Sequence, residues 1–198
     1  MKKSLILSFL ALGLCALVLL NMNLGTKQFY MENAHYWHIH DMQTILPGSE
    51  SFVSEPYTGE DGVIRSVHKG QTGYVIETVT YGYAGDITVL VGVDFEGKIT
   101  GLVVRDLSET LGLGAKALYD TDFLAQFLNT SGGVSVGAPG QADAFSGATG
   151  ESQTETEVYV DAMTGATVTS KAIARCVNSA AAYVTGADAV SAATSWGG

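Results

Sequence analysis

The sequence has few cysteines, little positive charge and none of the common hydrolytic signatures, and each shortage removes a class of protein. Its two cysteines, Cys15 and Cys176, cannot build a disulfide framework, because the first lies in an apolar N-terminal run and the second in an expected helix near the other end. Lys and Arg number 10 against 20 Asp and Glu, a formal charge of -10, and from Lys27 to Arg175 the basic residues are scattered singly. With no basic stripe to hold a polyanion, nucleic acid is not a partner. No Ser-His-Asp order, P-loop or HExxH string is present, so hydrolytic chemistry has no support. His35, His38 and His40 invite a metal reading. On a helix, however, only His35 and His38 share a face, no cysteine is near, and the neighbouring carboxylates are Glu32 and Asp41. No metal site is expected there, and Tyr30, Tyr36 and Trp37 read more simply as aromatics at a membrane interface.

What the chain does have is apolar length. Residues 4–24 are almost unbroken in apolar side chains, with Asn21 and Asn23 the main exceptions, and as a helix they would span roughly 30 Å, one bilayer core. A cleaved signal peptide is the rival, but the run is long for one and its end offers no small-x-small cleavage site. A lipoprotein signal fails as well, because Leu14 stands before Cys15 where a small residue is needed. Lys2 and Lys3 precede the run and only Lys27 follows closely, which places the N-terminus in the cytoplasm and the bulk of the chain outside. The expected organisation is a cytoplasmic stub at 1–3, a transmembrane anchor at 4–24 and a juxtamembrane helix at 25–48, closed by Pro47-Gly48. One domain at 49–185 follows, with a flexible tail at 186–198.

Within the domain, Tyr74 to Thr80 has strand composition, Ile87, Val89, Val91 and Val93 alternate with their neighbours, and Ile99 to Val104 is another β-branched run. Asp94-Phe95-Glu96-Gly97-Lys98 supplies a turn of hairpin length between the last two, so an antiparallel meander is the economical arrangement. Ala115 to Leu128 reads as an amphipathic helix with Leu118, Phe123, Leu124, Phe127 and Leu128 on its apolar face. Residues 129–157 turn to Gly, Ser, Thr, Ala and Gln and read mostly as loop. Val168 to Val184 is Ala-rich, with Ile173, Val177, Ala180, Ala181 and Val184 at helical spacing, a second helix for the sheet. Strands followed by segregated helices give an α+β class.

Two segments repeat one pattern: Asp143-Ala-Phe-Ser-Gly-Ala-Thr149 and Asp161-Ala-Met-Thr-Gly-Ala-Thr167. Thr167 falls at the mouth of the last helix, where unpaired amides and the positive end of the helix dipole favour an anion. Gly165 and Ala166 leave the hydroxyl accessible to a large ligand or modifying enzyme, Thr164 can cap the helix, Val168 opens it, and Lys171 one turn on can add charge near a phosphate. Taken alone, this is either an ordinary capped helix start or an anion site.

The surrounding residues resemble the FMN-binding G subunit of the Rnf complex, an ion-translocating ferredoxin:NAD oxidoreductase, and its relative, the C subunit of the sodium-translocating NADH:quinone reductase. The resemblance runs through Ile45-Leu-Pro-Gly48, Tyr83 to Asp94, Gly97-Lys-Ile-Thr-Gly101, Ser108 to Ala115 and Asp161 to Ser170. It implies a single N-terminal transmembrane helix followed by one FMN-binding domain at a bacterial cell membrane. It further implies an electron-transfer subunit of a translocating oxidoreductase, relaying electrons between ferredoxin- and NAD-linked partner subunits in the membrane. In that family the last Thr of the repeated motif is esterified to FMN by a flavin transferase that consumes FAD with magnesium, which places the role on Thr167. The resemblance also puts Glu109, Thr110, Leu111, Gly112, Leu113 and Gly114 near the flavin ring. Leu111 stands where the family usually has Pro, and the extra copy ending at Thr149 has no usual counterpart. Gly150-Glu151-Ser152 is a poor helix start, so Thr167 is preferred and Thr149 remains the alternative acceptor. Other readings of the same features are a stand-alone anchored flavoprotein for extracellular electron transfer and a non-redox anchored anion-binding module.

Overall fold

The computed structural model describes Gly13 and residues 38–107, 114–115, 119–137 and 158–186. The chain divides into two units, Met1–His40 and Asp41–Gly198. Of the first unit only Gly13 and residues 38–40 are described, so the anchor expected at 4–24 and most of the expected juxtamembrane helix lie outside the described residues. Among those described, no helix is long and apolar enough to cross a membrane.

The second unit is built on five antiparallel strands in chain order: β1 (Val53–Glu55), β2 (Ile64–Lys69), β3 (Gly73–Tyr81), β4 (Asp86–Asp94) and β5 (Ile99–Leu107). The expected meander is its centre. Asp94 shapes the β4–β5 turn: its Oδ1 accepts the amides of Glu96 and Lys98 at 2.9 and 2.8 Å, while Gly97 takes a φ of +88°. The two leading strands are absent from the sequence reading. In β2 only Ile64 and Val67 are apolar, and a register shift between Ile64 and Ser66 interrupts their alternation, so pairing with β3 defines the strand more than composition does.

One face of the sheet buries Ile76, Ile87, Val89, Val91 and Val93 against the long C-terminal helix, and each such side chain contributes about 1.5–3 kcal/mol by leaving water. The other face is covered by a helical turn at residues 41–45 and the segment after it. There Ile45 lies over Gly92 and Gly101, where a Cβ at either glycine would meet the Ile45 backbone. The Thr100 hydroxyl donates to the Ile45 carbonyl, and Arg105 pairs with Asp41 at 3.2 Å.

The helix expected over 115–128 is much shorter. Among the described residues it is α1 (Thr121–Ala125), begun by Asp120, whose carboxylate accepts the Phe123 amide at 3.1 Å. The reason is tertiary: Asn129 N–H donates to the Ile99 carbonyl and Ile99 N–H to the Thr130 carbonyl, at 2.9 and 2.8 Å, so the chain must leave the helix to join β5. Asn129 accommodates this with a φ of +63°. Phe123 and Phe127 are buried edge to face at 5.2 Å, whereas Leu128, assigned to the apolar face, is 40% exposed. The stretch read as loop contains β6 (Val134–Gly137), which pairs in parallel with β7 (Val158–Asp161). Both strands have 4 residues, and their Gly- and Ser-containing surroundings obscure the pattern in sequence. The long C-terminal helix, α2 (Thr167–Thr185), matches its expected span and ends at Gly186 with a φ of +68°.

Candidate functional site

β7 carries the chain into the second copy of the repeated motif. Its ladder with β6 closes at Gly137 and Asp161, and Ala162 N–H then donates to the Gly137 carbonyl at 3.1 Å. The direction must now reverse into α2. A tight turn over Thr164 and Gly165 does this, closed by Ala166 N–H to the Met163 carbonyl at 2.9 Å. Gly165 sits at a φ of +78°, a region that costs other residues about 1–2 kcal/mol. Ala162, Met163 and Ala166 are buried, while Thr164, Gly165 and Thr167 are exposed. The apolar members of the motif thus anchor it in the core and the others present themselves to solvent.

Thr164 does not cap the helix. Ala166 occupies that position, with φ -132° and ψ 38° and no side-chain cap bond, because the Gly165 turn intervenes between Thr164 and the first helical residue. The hydroxyl that secures the turn belongs to Ser170, which accepts the Met163 amide at 3.0 Å and donates to the Ala166 carbonyl at 2.9 Å. The amides of Thr167, Val168 and Thr169 head the helix, where no intrahelical acceptor exists, and no acidic residue lies in the first turn. Lys171 follows one turn after Thr167 and is half-buried, as is Val168. Asp161 is held through its backbone: its N–H donates to Gln126 Oε1 at 2.8 Å, and Gln126 Nε2 donates to its carbonyl at 3.4 Å. An exposed hydroxyl at an uncapped helix start, with glycine before it and no carboxylate in the first turn, suits a phosphate ester.

The sequence reading missed Ser170 and Gln126. Ser170 gives a faint signal, a hydroxyl in helical phase with buried alanines, whereas Gln126 gives none, since it meets Asp161 only through the fold. Asn178 was missed as well. Its Oδ1 accepts the Val134 amide and its Nδ2 donates to the Val134 carbonyl, both at 2.9 Å, so α2 grips the outer edge of β6.

The direction of α2 decides what lies near Thr167. At its far end the Tyr183 ring is 5.6 Å from Tyr74 at the start of β3, and Thr185 abuts Gly97 in the β4–β5 turn. Midway, Cys176 lies beside Thr78. The helix therefore runs antiparallel to β3, and its 19 residues, about 28 Å, match the roughly 30 Å of the 9-residue strand. Thr167 accordingly lies at the end of the sheet that holds the β3–β4 turn and Leu107, where the chain leaves β5 toward the glycine-rich segment. Of that segment only Gly114 is described, buried in a short turn with Ala115, while Glu109, Thr110, Leu111, Gly112 and Leu113 lie outside the described residues. Thr149 and its copy of the motif also lie outside them. In sequence, Glu151 of that copy corresponds to Thr169 of the second, which is 1% exposed.

Known proteins are similar to this chain in sequence. The FMN-binding domain family matches residues 82–182. The chain is 38% identical over 107 residues to the G subunit of the Na(+)-translocating ferredoxin:NAD(+) oxidoreductase complex of Acetobacterium woodii, covering 54% of this chain and 46% of the relative. It is 34% identical over 155 residues to the G subunit of the ion-translocating oxidoreductase complex of Methanosarcina acetivorans, covering 72% of each. The chain belongs to the FMN-binding family of G subunits. A solved structure, the C subunit of the Na(+)-translocating NADH-quinone reductase of Parabacteroides distasonis, superposes with a TM-score of 0.46 at 21% identity, over 60% of this chain and 61% of that one. The span matched by the FMN-binding family opens in the β3–β4 turn and closes within α2, so Thr167 and the turn that presents it fall inside the family domain. This family member spans less than half the length of the Acetobacterium relative.

Proposed function

We propose that the chain is a membrane-anchored electron-transfer subunit of an ion-translocating oxidoreductase, with one FMN esterified through its phosphate to Thr167. The observation that carries this reading is the exposed hydroxyl of Thr167 at the head of α2, presented by a turn whose apolar residues are buried, within an FMN-binding domain.

When bound, FMN supplies reversible electron transfer. The chain's own residues hold and place it. In attachment, Thr167 Oγ forms a bond to the FMN phosphorus of FAD and loses its proton, while the phosphorus-oxygen bond to AMP breaks and AMP departs; a flavin transferase with magnesium supports the step. The Thr167, Val168 and Thr169 amides and the helix dipole would hold the phosphate, with Lys171 one turn away adding positive charge. Gly165 keeps the approach clear, and the family resemblance assigns Glu109 to Gly114 to the neighbourhood of the flavin ring. Other membrane subunits of an Rnf-type complex deliver and remove electrons and couple them to ion movement. The anchor at 4–24 keeps the domain on the outer side, with the N-terminus in the cytoplasm.

The test is coexpression with a flavin transferase followed by denaturing electrophoresis. Flavin fluorescence is expected on the denatured chain and is lost in Thr167→Ala; tryptic mass spectrometry assigns the adduct to the peptide holding Thr167. Fluorescence retained by Thr167→Ala rejects that acceptor, and an adduct on the Thr149 peptide transfers the role there.

A further inference from the structure

We infer that Gln126 and Ser170 are positioning residues for the modification of Thr167: two uncharged side chains outside the repeated motif hold the turn that presents its hydroxyl. This rests on Thr167 being the acceptor. Among the described residues no side-chain hydrogen bond orients Thr167 itself, so the direction of its hydroxyl follows from the backbone between Asp161 and Ala166. That backbone is held at two places by side chains. Gln126 Oε1 accepts the Asp161 amide at 2.8 Å, and Gln126 Nε2 donates to the Asp161 carbonyl at 3.4 Å, as a neighbouring strand would. Ser170 Oγ accepts the Met163 amide at 3.0 Å and donates to the Ala166 carbonyl at 2.9 Å.

The Ser170 bonds bracket the Thr164-Gly165 turn with a single atom. Removal of that hydroxyl releases the Met163 amide and one bond to the Ala166 carbonyl together. It leaves α2 itself in place, because Ser170 N–H still donates to the Ala166 carbonyl at 2.9 Å. Ser170 is fully buried, so it is not placed to touch a transferase. Gln126 lies 35 residues before Asp161 and reaches it only in the folded chain. The transferase substrate is therefore a folded turn, and the seven-residue motif is insufficient by itself. The first copy keeps the same spacing, with Ser152 three residues after Thr149 as Ser170 is after Thr167, but carries Glu151 in sequence where the second carries Thr169.

The experiment follows covalent flavin formation on purified, unmodified full-length chain, with flavin transferase, FAD and magnesium, well below the melting temperature. Gln126→Leu and Ser170→Ala are expected to slow the initial rate by roughly ten- to a hundred-fold, the scale set by small misplacements of a reacting group. Gln126→Glu, which keeps the shorter contact to the Asp161 amide, is expected to fall between Gln126→Leu and wild type. Val91→Ala, a cavity in the core away from the motif, is the control: it lowers the melting temperature at least as much but labels at the wild-type rate. Wild-type rates in both Gln126→Leu and Ser170→Ala, or equal slowing in Val91→Ala, overturn the positioning role. Labelling of Thr167→Ala, or none of wild type, overturns the acceptor reading instead.

Discussion

Asn178 offers the sharpest test of how α2 organises the site, since its carboxamide joins the helix to the outer edge of β6, and β6 in turn carries β7 and the motif. Replacing it with leucine keeps the bulk and removes both bonds. The Val134 amide and carbonyl, each 2.9 Å from Asn178, are then stranded in a residue that is almost completely buried. Each orphaned group costs about 1–3 kcal/mol, or about 2–6 kcal/mol for the pair. Better burial of the leucine returns part of this, leaving a net loss of about 2–4 kcal/mol, a large share of the roughly 5–15 kcal/mol typical of a domain. Chemical denaturation followed by far-ultraviolet circular dichroism measures it. Asn178→Asp adds a second arm. Its carboxylate still accepts the Val134 amide but opposes the Val134 carbonyl, so burial raises its folded pKa above the unfolded value. The protonated acid can donate to that carbonyl, so stability is retained at low pH and lost as pH rises through the folded pKa. The deficit relative to wild type should therefore shrink toward about pH 4. If Asn178→Leu lies within about 0.5 kcal/mol of wild type, the carboxamide is not what fastens β6 to α2.

Gly165→Ala should cost about 1–2 kcal/mol because of its left-handed backbone and should also slow flavin attachment, whereas Gly165→Asn, which tolerates that region, recovers part of both; melting curves and labelling rates report this. Gly101→Ala sets a Cβ 2.7 Å from Ile45 Cα and should destabilise the sheet by about 1–3 kcal/mol in the same denaturation assay; wild-type stability would show that the segment over the glycines yields freely. Burial pushes the Cys176 thiol up to about 12, against the pull of Thr78 and Arg175, so in a Cys15→Ser chain it should resist alkylation near pH 8 until denaturant is added. Burial also holds His68 below its ordinary pKa of 6.5, with Glu77 opposing. The unfolded chain then takes the proton first, so stability is present above that ordinary value and is lost as pH falls through the folded one. His68→Gln should flatten this part of the pH dependence, and an unchanged slope would refute the assignment.

Local chemistry made the centre of the fold legible. The alternation from Ile87 to Val93, the β-branched run from Ile99 and the Asp94 turn each carry their own signal, because pleating and turn bonding act over a few residues. The helix from Thr167 was equally plain, since its apolar spacing is internal to it. Thr167 stood out in the sequence as the hydroxyl at the start of that helix, and the family resemblance together with the helix start preferred it to Thr149; its exposure is a feature of the fold.

What required the tertiary structure are the features made by residues far apart. The helix before Asn129 is short because residues 129 and 130 bond Ile99, a contact that no local propensity encodes. β6 and β7 form a parallel pair whose outer edges are met by Asn178 and Gln126, and each of those side chains looks like any other polar residue in the sequence. The start of α2 is not capped by Thr164, as composition suggested, but stapled from within by Ser170. Sequence determined the motif and the hydroxyl residue that heads α2, because these are matters of residue identity and spacing. The fold decided how it is held, because buried backbone groups take whichever partner the three-dimensional path brings to them.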